Sequence, residues 1–155
     1  MKNIAFYAGS FDPFTNGHLE LVKKASNIFE KVIIGIGINP DKKRRFDKET
    51  MKTAIEDTLK LENLNNCEVL IYQGYTYEAA QQNGSNILIR GLRNKTDYKY
   101  EEKIAKFNDK YNMETIYLRA GELGNISSSF VYEELTKNHD ITNYISEPVK
   151  KLILK

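Results

Sequence analysis

Short runs of β-branched and aromatic residues alternate along this chain with longer stretches whose apolar positions recur every three or four residues. The runs Ile4 to Tyr7, Val32 to Ile38, Glu68 to Tyr72, Ile87 to Ile89 and Thr115 to Leu118 read as strands. Most are solidly apolar rather than alternating, as parallel strands covered on both faces are. Between them, helical faces are marked by Leu19, Val22, Ala25 and Phe29, by Ile55, Leu59 and Leu61, by Ala79 and Ala80, and by Ile104 and Phe107. After the last strand, Ser127-Ser128-Ser129 offers a serine N-cap for a helix running through Phe130, Val131 and Leu135 to about Lys137. Short helical pieces near Ile141 to Ile145 and Glu147 to Leu154 are expected to close the fold. The pattern predicts an α/β architecture, a doubly wound parallel five-stranded sheet of Rossmann-like type, as one domain over residues 1–155. In such a sheet the ligand crevice lies beyond the carboxyl ends of the strands.

Composition narrows the setting. A chain of 155 residues buries enough surface for a core without disulfides or structural metal. Its lone Cys67 can make neither an internal bridge nor a zinc site, so a reducing cytoplasm is the expected location. The N-terminus runs from Met1-Lys2-Asn3 into a strand and a turn with no apolar stretch of signal-peptide length, so export by that route is not expected. The longest apolar run, Val32 to Ile38, is far short of the roughly 20 residues that span a bilayer. Lys and Arg number 23 against 21 Asp and Glu, a formal charge of +2. That argues against a broad nucleic-acid or membrane-binding face. Local clusters remain.

Polar residues gather where strands end. The first strand leads into Gly9-Ser10-Phe11-Asp12-Pro13-Phe14-Thr15-Asn16-Gly17-His18 and then a helix. Small and turn-forming residues allow close backbone approach, and a helix start offers unpaired N–H groups to phosphate. There His18, protonated or as a neutral N–H donor, can face an anion; as a bare motif the same string is only a tight turn. The second strand is followed by Lys42-Lys43-Arg44-Arg45, a positive patch suited to phosphate or, more plainly, a solvated charge run. The fourth ends in Arg90-Gly91-Leu92-Arg93, ahead of Asp97-Tyr98-Lys99-Tyr100-Glu101. Two arginines there can clamp phosphate oxygens bidentately, or simply bracket a turn. The serines 127–129 can cap a helix, bind phosphate, or both.

Together these strings resemble the nucleotidyltransferase superfamily. Thr15-Asn16-Gly17-His18 is similar to its T/HxGH motif, and threonine at the first position, the lysine pair before Phe46 and Arg-Gly-Leu-Arg look like the bacterial phosphopantetheine adenylyltransferases. The resemblance covers nearly the whole chain. It implies transfer of AMP from ATP to 4′-phosphopantetheine, giving dephospho-coenzyme A and pyrophosphate, with Mg2+ arriving on ATP. No acidic cluster suggests a protein-built metal cage, so no metal ligand is named. It implies catalytic roles for His18, Lys42 and Arg93, with the Ser10 hydroxyl orienting the attacking phosphate, and acceptor contacts from Ser10, Lys42, Thr76 and Arg90. ATP contacts are implied for Ser10, Phe11, His18, Gly91, Leu92, Arg93, Glu101, Leu123, Gly124, Asn125, Ile126, Ser127, Ser128 and Ser129. Assembly as a homo-oligomer, a hexamer, comes with the resemblance too. The rivals are another nucleotidyltransferase, using CTP or a pyridine-nucleotide or glycerol-phosphate acceptor, and a nucleotide-binding module without turnover.

The chain departs from the usual pattern in places. Ser10 stands for a threonine, Ala8 for a proline and Met51 for an arginine. Leu123-Gly124-Asn125 lacks the aromatic often found near adenine, and Tyr132 stands where a basic residue is usual. ATP binding is therefore expected to be modest, with Leu123→Trp tightening it if the ring reaches the base. Lys42 is expected to act specifically, and Lys43 and Arg44 through the general field.

Overall fold

The computed structural model describes residues 3–93 and 95–154, the side chains of 95–97 not among them. Met1, Lys2 and the Asp97 side chain of the motif after Arg93 thus lie outside the described residues. Five parallel strands, β1 (Ile4–Gly9), β2 (Lys31–Ile38), β3 (Cys67–Gln73), β4 (Ile87–Gly91) and β5 (Glu114–Leu118), form one sheet in the order β3-β2-β1-β4-β5. Each predicted strand is present, and each is longer by one or two residues. The chain winds outward from β1 to β3, then crosses back to add β4 on the other side. That reversal places a topological switch between β1 and β4, where open α/β sheets take ligands.

The two sheet faces are unequally covered. Along β1, Ala5 and Tyr7 join the larger apolar cluster while Phe6 and Ala8 join the smaller, as the two-residue period of a strand requires. The larger cluster includes Val22 and Ala25 of α1 (Asn16–Ile28), Met51 and Ile55 of α2 (Lys48–Leu61), Val131 of α5 (Ser128–Thr136) and Val149 of α6 (Glu147–Ile153). The smaller takes Ala79 and Ala80 from α3 (Thr76–Gln82), and Ile104, Phe107 and Asn108 of α4 (Lys95–Asp109) line a cavity against Leu88 and Ile89.

Three details differ from the sequence expectations. Residues 141–145 form a turn closed by Tyr144 N–H to the Ile141 carbonyl at 2.9 Å, not a helix. Ile141 and Ile145 are buried all the same, and an apolar pair four apart looks helical whether or not a helix is made. Leu61 ends α2 exposed rather than joining its core stripe, and a 3-10 turn over Gly121–Asn125 has no periodic signal of its own. Among the described residues no helix is long and apolar enough to cross a membrane.

Candidate active site at the β1–β4 switch

The loop after β1 is built around the start of α1. Thr15 is the N-cap, and its hydroxyl accepts from the His18 N–H at 3.4 Å while His18 Nδ1 accepts the Thr15 N–H at 3.0 Å. This is a reciprocal capping box with imidazole in the place of the usual carboxyl or carboxamide. The Thr15 hydroxyl donates its own proton to the Ile126 carbonyl at 2.7 Å, joining two segments far apart in the chain. With Nδ1 accepting, the neutral ring carries its proton on Nε2.

Phe14 stacks on the imidazole at 5.6 Å and Phe11 meets it edge-on at 5.0 Å. This apolar setting pushes the His18 pKa down to about 4, mainly by desolvation and further by the charge of Arg93. With that shift His18 is neutral near pH 7, its Nε2–H left to donate. The shift favours the fold fully above the ordinary histidine pKa of about 6.5, and that contribution is lost as the pH falls toward 4.

Gly17 is required for space. A Cβ there would lie 2.7 Å from the Leu123 carbonyl oxygen and 2.8 Å from that of Ile126, both backbone atoms. Gly17→Ala should thus cost about 1–3 kcal/mol by overpacking. A thermal melt checks this, and an unchanged midpoint would show that the 3-10 turn does not hold α1 in place.

At the end of β4, Arg90 forms a two-point pair with Glu101, Nε to Oε2 and Nη2 to Oε1, each at 2.8 Å. Glu101 is buried, and the pair raises the arginine pKa against the desolvation that opposes it. Arg90 and Glu101 both reach the cavity wall, but as partners of one another. Burial raises the Tyr7 phenol well above its usual range, with Arg90 pulling the other way, so Tyr7 stays a neutral wall residue. The Leu92 N–H continues the pairing with β5 through the Leu118 carbonyl at 3.0 Å.

The three serines divide their work. Ser127 caps α5 by accepting from the Phe130 N–H at 3.1 Å, Ser128 donates to the Pro13 carbonyl at 2.7 Å, and Ser129 is exposed. All three line a cavity of about 390 Å³ with Ser10, Phe11, His18, Arg90, Gly91, Leu92, Arg93, Glu101, Gly124 and Ile126. Leu123 and Asn125 belong to the 3-10 turn but do not line this cavity. Sequence reading passed over Tyr100, which lines the wall and is 65% exposed. It is an aromatic one residue from Glu101, where the motif itself could have drawn attention.

A second cavity of about 230 Å³ adjoins the first, sharing Ala8 and Arg90. Thr76 lines it, its hydroxyl 2.8 Å from that of Tyr72, together with Tyr75, Tyr77, Phe107 and Asn108. Asn108 was not singled out by the sequence, although it follows Ile104 by one helical turn and so shares its face.

Lys42 is exposed on the loop after β2 and lines neither cavity. Its basic neighbours are not a simple solvated run. Arg44 donates to the Ser10 carbonyl at 2.7 Å, and the Arg45 and Phe46 N–H groups bond the Asp12 carboxylate at 2.8 and 2.9 Å. Arg44, expected to act mainly through the general field, is thus also bonded to the loop after β1.

Comparison with known proteins places this geometry. The cytidylyltransferase-like family matches residues 6–134. Phosphopantetheine adenylyltransferase of Cytophaga hutchinsonii is 39% identical over 149 residues, covering 94% of this chain and 97% of that protein. The enzyme of the same name from Leuconostoc mesenteroides is 44% identical over 133 residues, 84% of this chain and 81% of its own. A solved structure of a candidate nicotinate-nucleotide adenylyltransferase from Vibrio parahaemolyticus superposes with a TM-score of 0.73 at 19% identity, covering 99% of this chain and 93% of that one, a likeness of fold.

Proposed function

Because this chain belongs to the phosphopantetheine adenylyltransferases, within the cytidylyltransferase-like family, we propose that its two adjoining cavities hold ATP and 4′-phosphopantetheine for transfer of AMP to the acceptor phosphate. The products are dephospho-coenzyme A and pyrophosphate. One observation carries the assignment of sites. The cavities share Ala8 and Arg90 at the sheet switch, so an arm lying in the second brings its phosphate to the nucleotide in the first.

An oxygen of the acceptor phosphate attacks the α-phosphorus of ATP, and the bond to the β-phosphate oxygen breaks in line. No side-chain nucleophile is needed, so the protein contributes positioning and charge stabilisation. The start of α5, whose serines line the first cavity, would meet the triphosphate, which would enter with its magnesium. His18 donates Nε2–H to the charge that grows on the phosphates, Arg93 clamps them, and Ser10 orients the attacking phosphate. Lys42 reaches in from the loop after β2 on its long stem. Thr76 and Asn108 offer polar groups to the acceptor arm among the apolar walls of the second cavity.

Adenine is recognised by backbone groups and apolar contact around Gly124 and Ile126. A site built to pair the adenine edge leaves its own groups unpaired against cytosine. Calorimetric titration should show modest affinity for ATP and weaker binding of CTP; equal or tighter CTP binding would overturn this nucleotide assignment. A coupled pyrophosphate-release assay with ATP and phosphopantetheine, against CTP and other acceptors, tests the reaction as a whole. Location in the cytoplasm and assembly as a hexamer are part of the same reading. The first is supported by the single cysteine, the second by the family resemblance, and light scattering on the purified protein tests the assembly.

A further inference from the structure

The reaction as set out uses only Lys42 of the basic run after β2, yet it is Arg44 and Arg45 that are bonded to the rest of the structure. The Arg44 side chain is only 16% exposed and lies across the seam between the loops that follow β1 and β2. It donates Nη1 to the Ser10 carbonyl at 2.7 Å and Nη2 to the Phe11 carbonyl at 3.5 Å on one side, and Nε to the Phe46 carbonyl at 3.0 Å on the other. Asp12, 13% exposed, stands 3.6 Å from the guanidinium and returns the connection by accepting the Arg45 and Phe46 N–H groups.

The two carbonyls taken on the β1 side bracket Phe11, which has φ +48°, in the left-handed region. A non-glycine residue there costs roughly 1–2 kcal/mol and needs its surroundings to hold it. The Phe11 ring packs against His18 at 5.0 Å, and Ser10, whose carbonyl Arg44 takes, lines the first cavity. Arg44 thus grips the backbone at the point where Ser10 and Phe11 are both aimed. At the far end of the loop, the Arg45 guanidinium lies 4.4 Å above the Tyr132 ring, so the same strap also touches α5.

We infer that Arg44 is a positioning residue for the acceptor phosphate, locking Ser10 and the Lys42 loop into one rigid unit. The inference rests on the proposed placement of that phosphate beside Ser10. The fork geometry matters more than the charge, because three carbonyls in two segments are met by one planar group. A lysine keeps the charge but offers a single point of donation.

The test is steady-state kinetics with both substrates varied, on the wild-type protein, the charge-keeping Arg44→Lys and the neutral Arg44→Gln, with a thermal melt of each. Misplacement on the ångström scale should lower turnover about 10–100-fold and raise the KM for phosphopantetheine, with the KM for ATP within about twofold. Arg44→Lys at wild-type rate would show that charge alone suffices and overturn the inference. So would a loss shared equally by both substrates and tracking the melting point, since that marks a purely structural role. Wild-type protein that releases no pyrophosphate from ATP and phosphopantetheine would instead remove the functional reading, and this role with it.

Discussion

His18→Ala lowers turnover by about 10²–10³-fold or more and leaves ATP affinity little changed, the signature of losing one preorganised donor used mainly in the transition state. The geometry says why. The ring is held on one side by the Thr15 N–H and on two others by Phe11 and Phe14, so Nε2–H is aimed without reorganisation. A neutral donor meets the ground-state triphosphate weakly and gains as charge spreads during transfer. NMR titration of the imidazole checks the electrostatic half: the ring should stay neutral, with its proton on Nε2, down to about pH 5 and titrate near 4. A midpoint near 6.5 would mean that the aromatic shell does not exclude water. Near-normal turnover of His18→Ala would remove it from the mechanism.

Lys42→Met impairs phosphopantetheine use and turnover together, because one ammonium serves the acceptor phosphate and the reacting α-phosphate. The exposed position of Lys42 is compatible with this role, since the four-carbon stem is flexible and the backbone beneath it is anchored on both sides. The Lys42 N–H bonds the Asn39 carbonyl at 3.1 Å, and two residues later Arg44 grips the β1 loop. Lys43→Met has neither anchor to disturb and should change the rate only slightly, through the general field. Kinetics with each substrate varied separates the two, and equal losses for both variants would reduce the lysine pair to a solvated patch.

Much of this protein was legible before any coordinates. Apolar runs marked all five strands, most of them solidly apolar as strands inside a parallel sheet are, and the serines at 127–129 marked the start of α5, since capping is settled within three residues. The motifs after β1 and β4 and before α5 fell on one cavity because strands that run parallel must end on the same side. What the chain could not show in one dimension were bonds between distant segments. Thr15 meets Ile126 across 111 positions and Arg44 meets Ser10 across 34, so no local pattern distinguishes a latch from a charged surface. The charge state of His18 was equally hidden, because it depends on how closely two phenylalanine rings and Arg93 approach it. Arg90 and Glu101 looked like separate ligand contacts until the packing of α4 on the sheet joined them. Local periodicity determined the elements and their faces; the partner of each polar group, and with it each group's charge and aim, was decided only when those faces closed on one another.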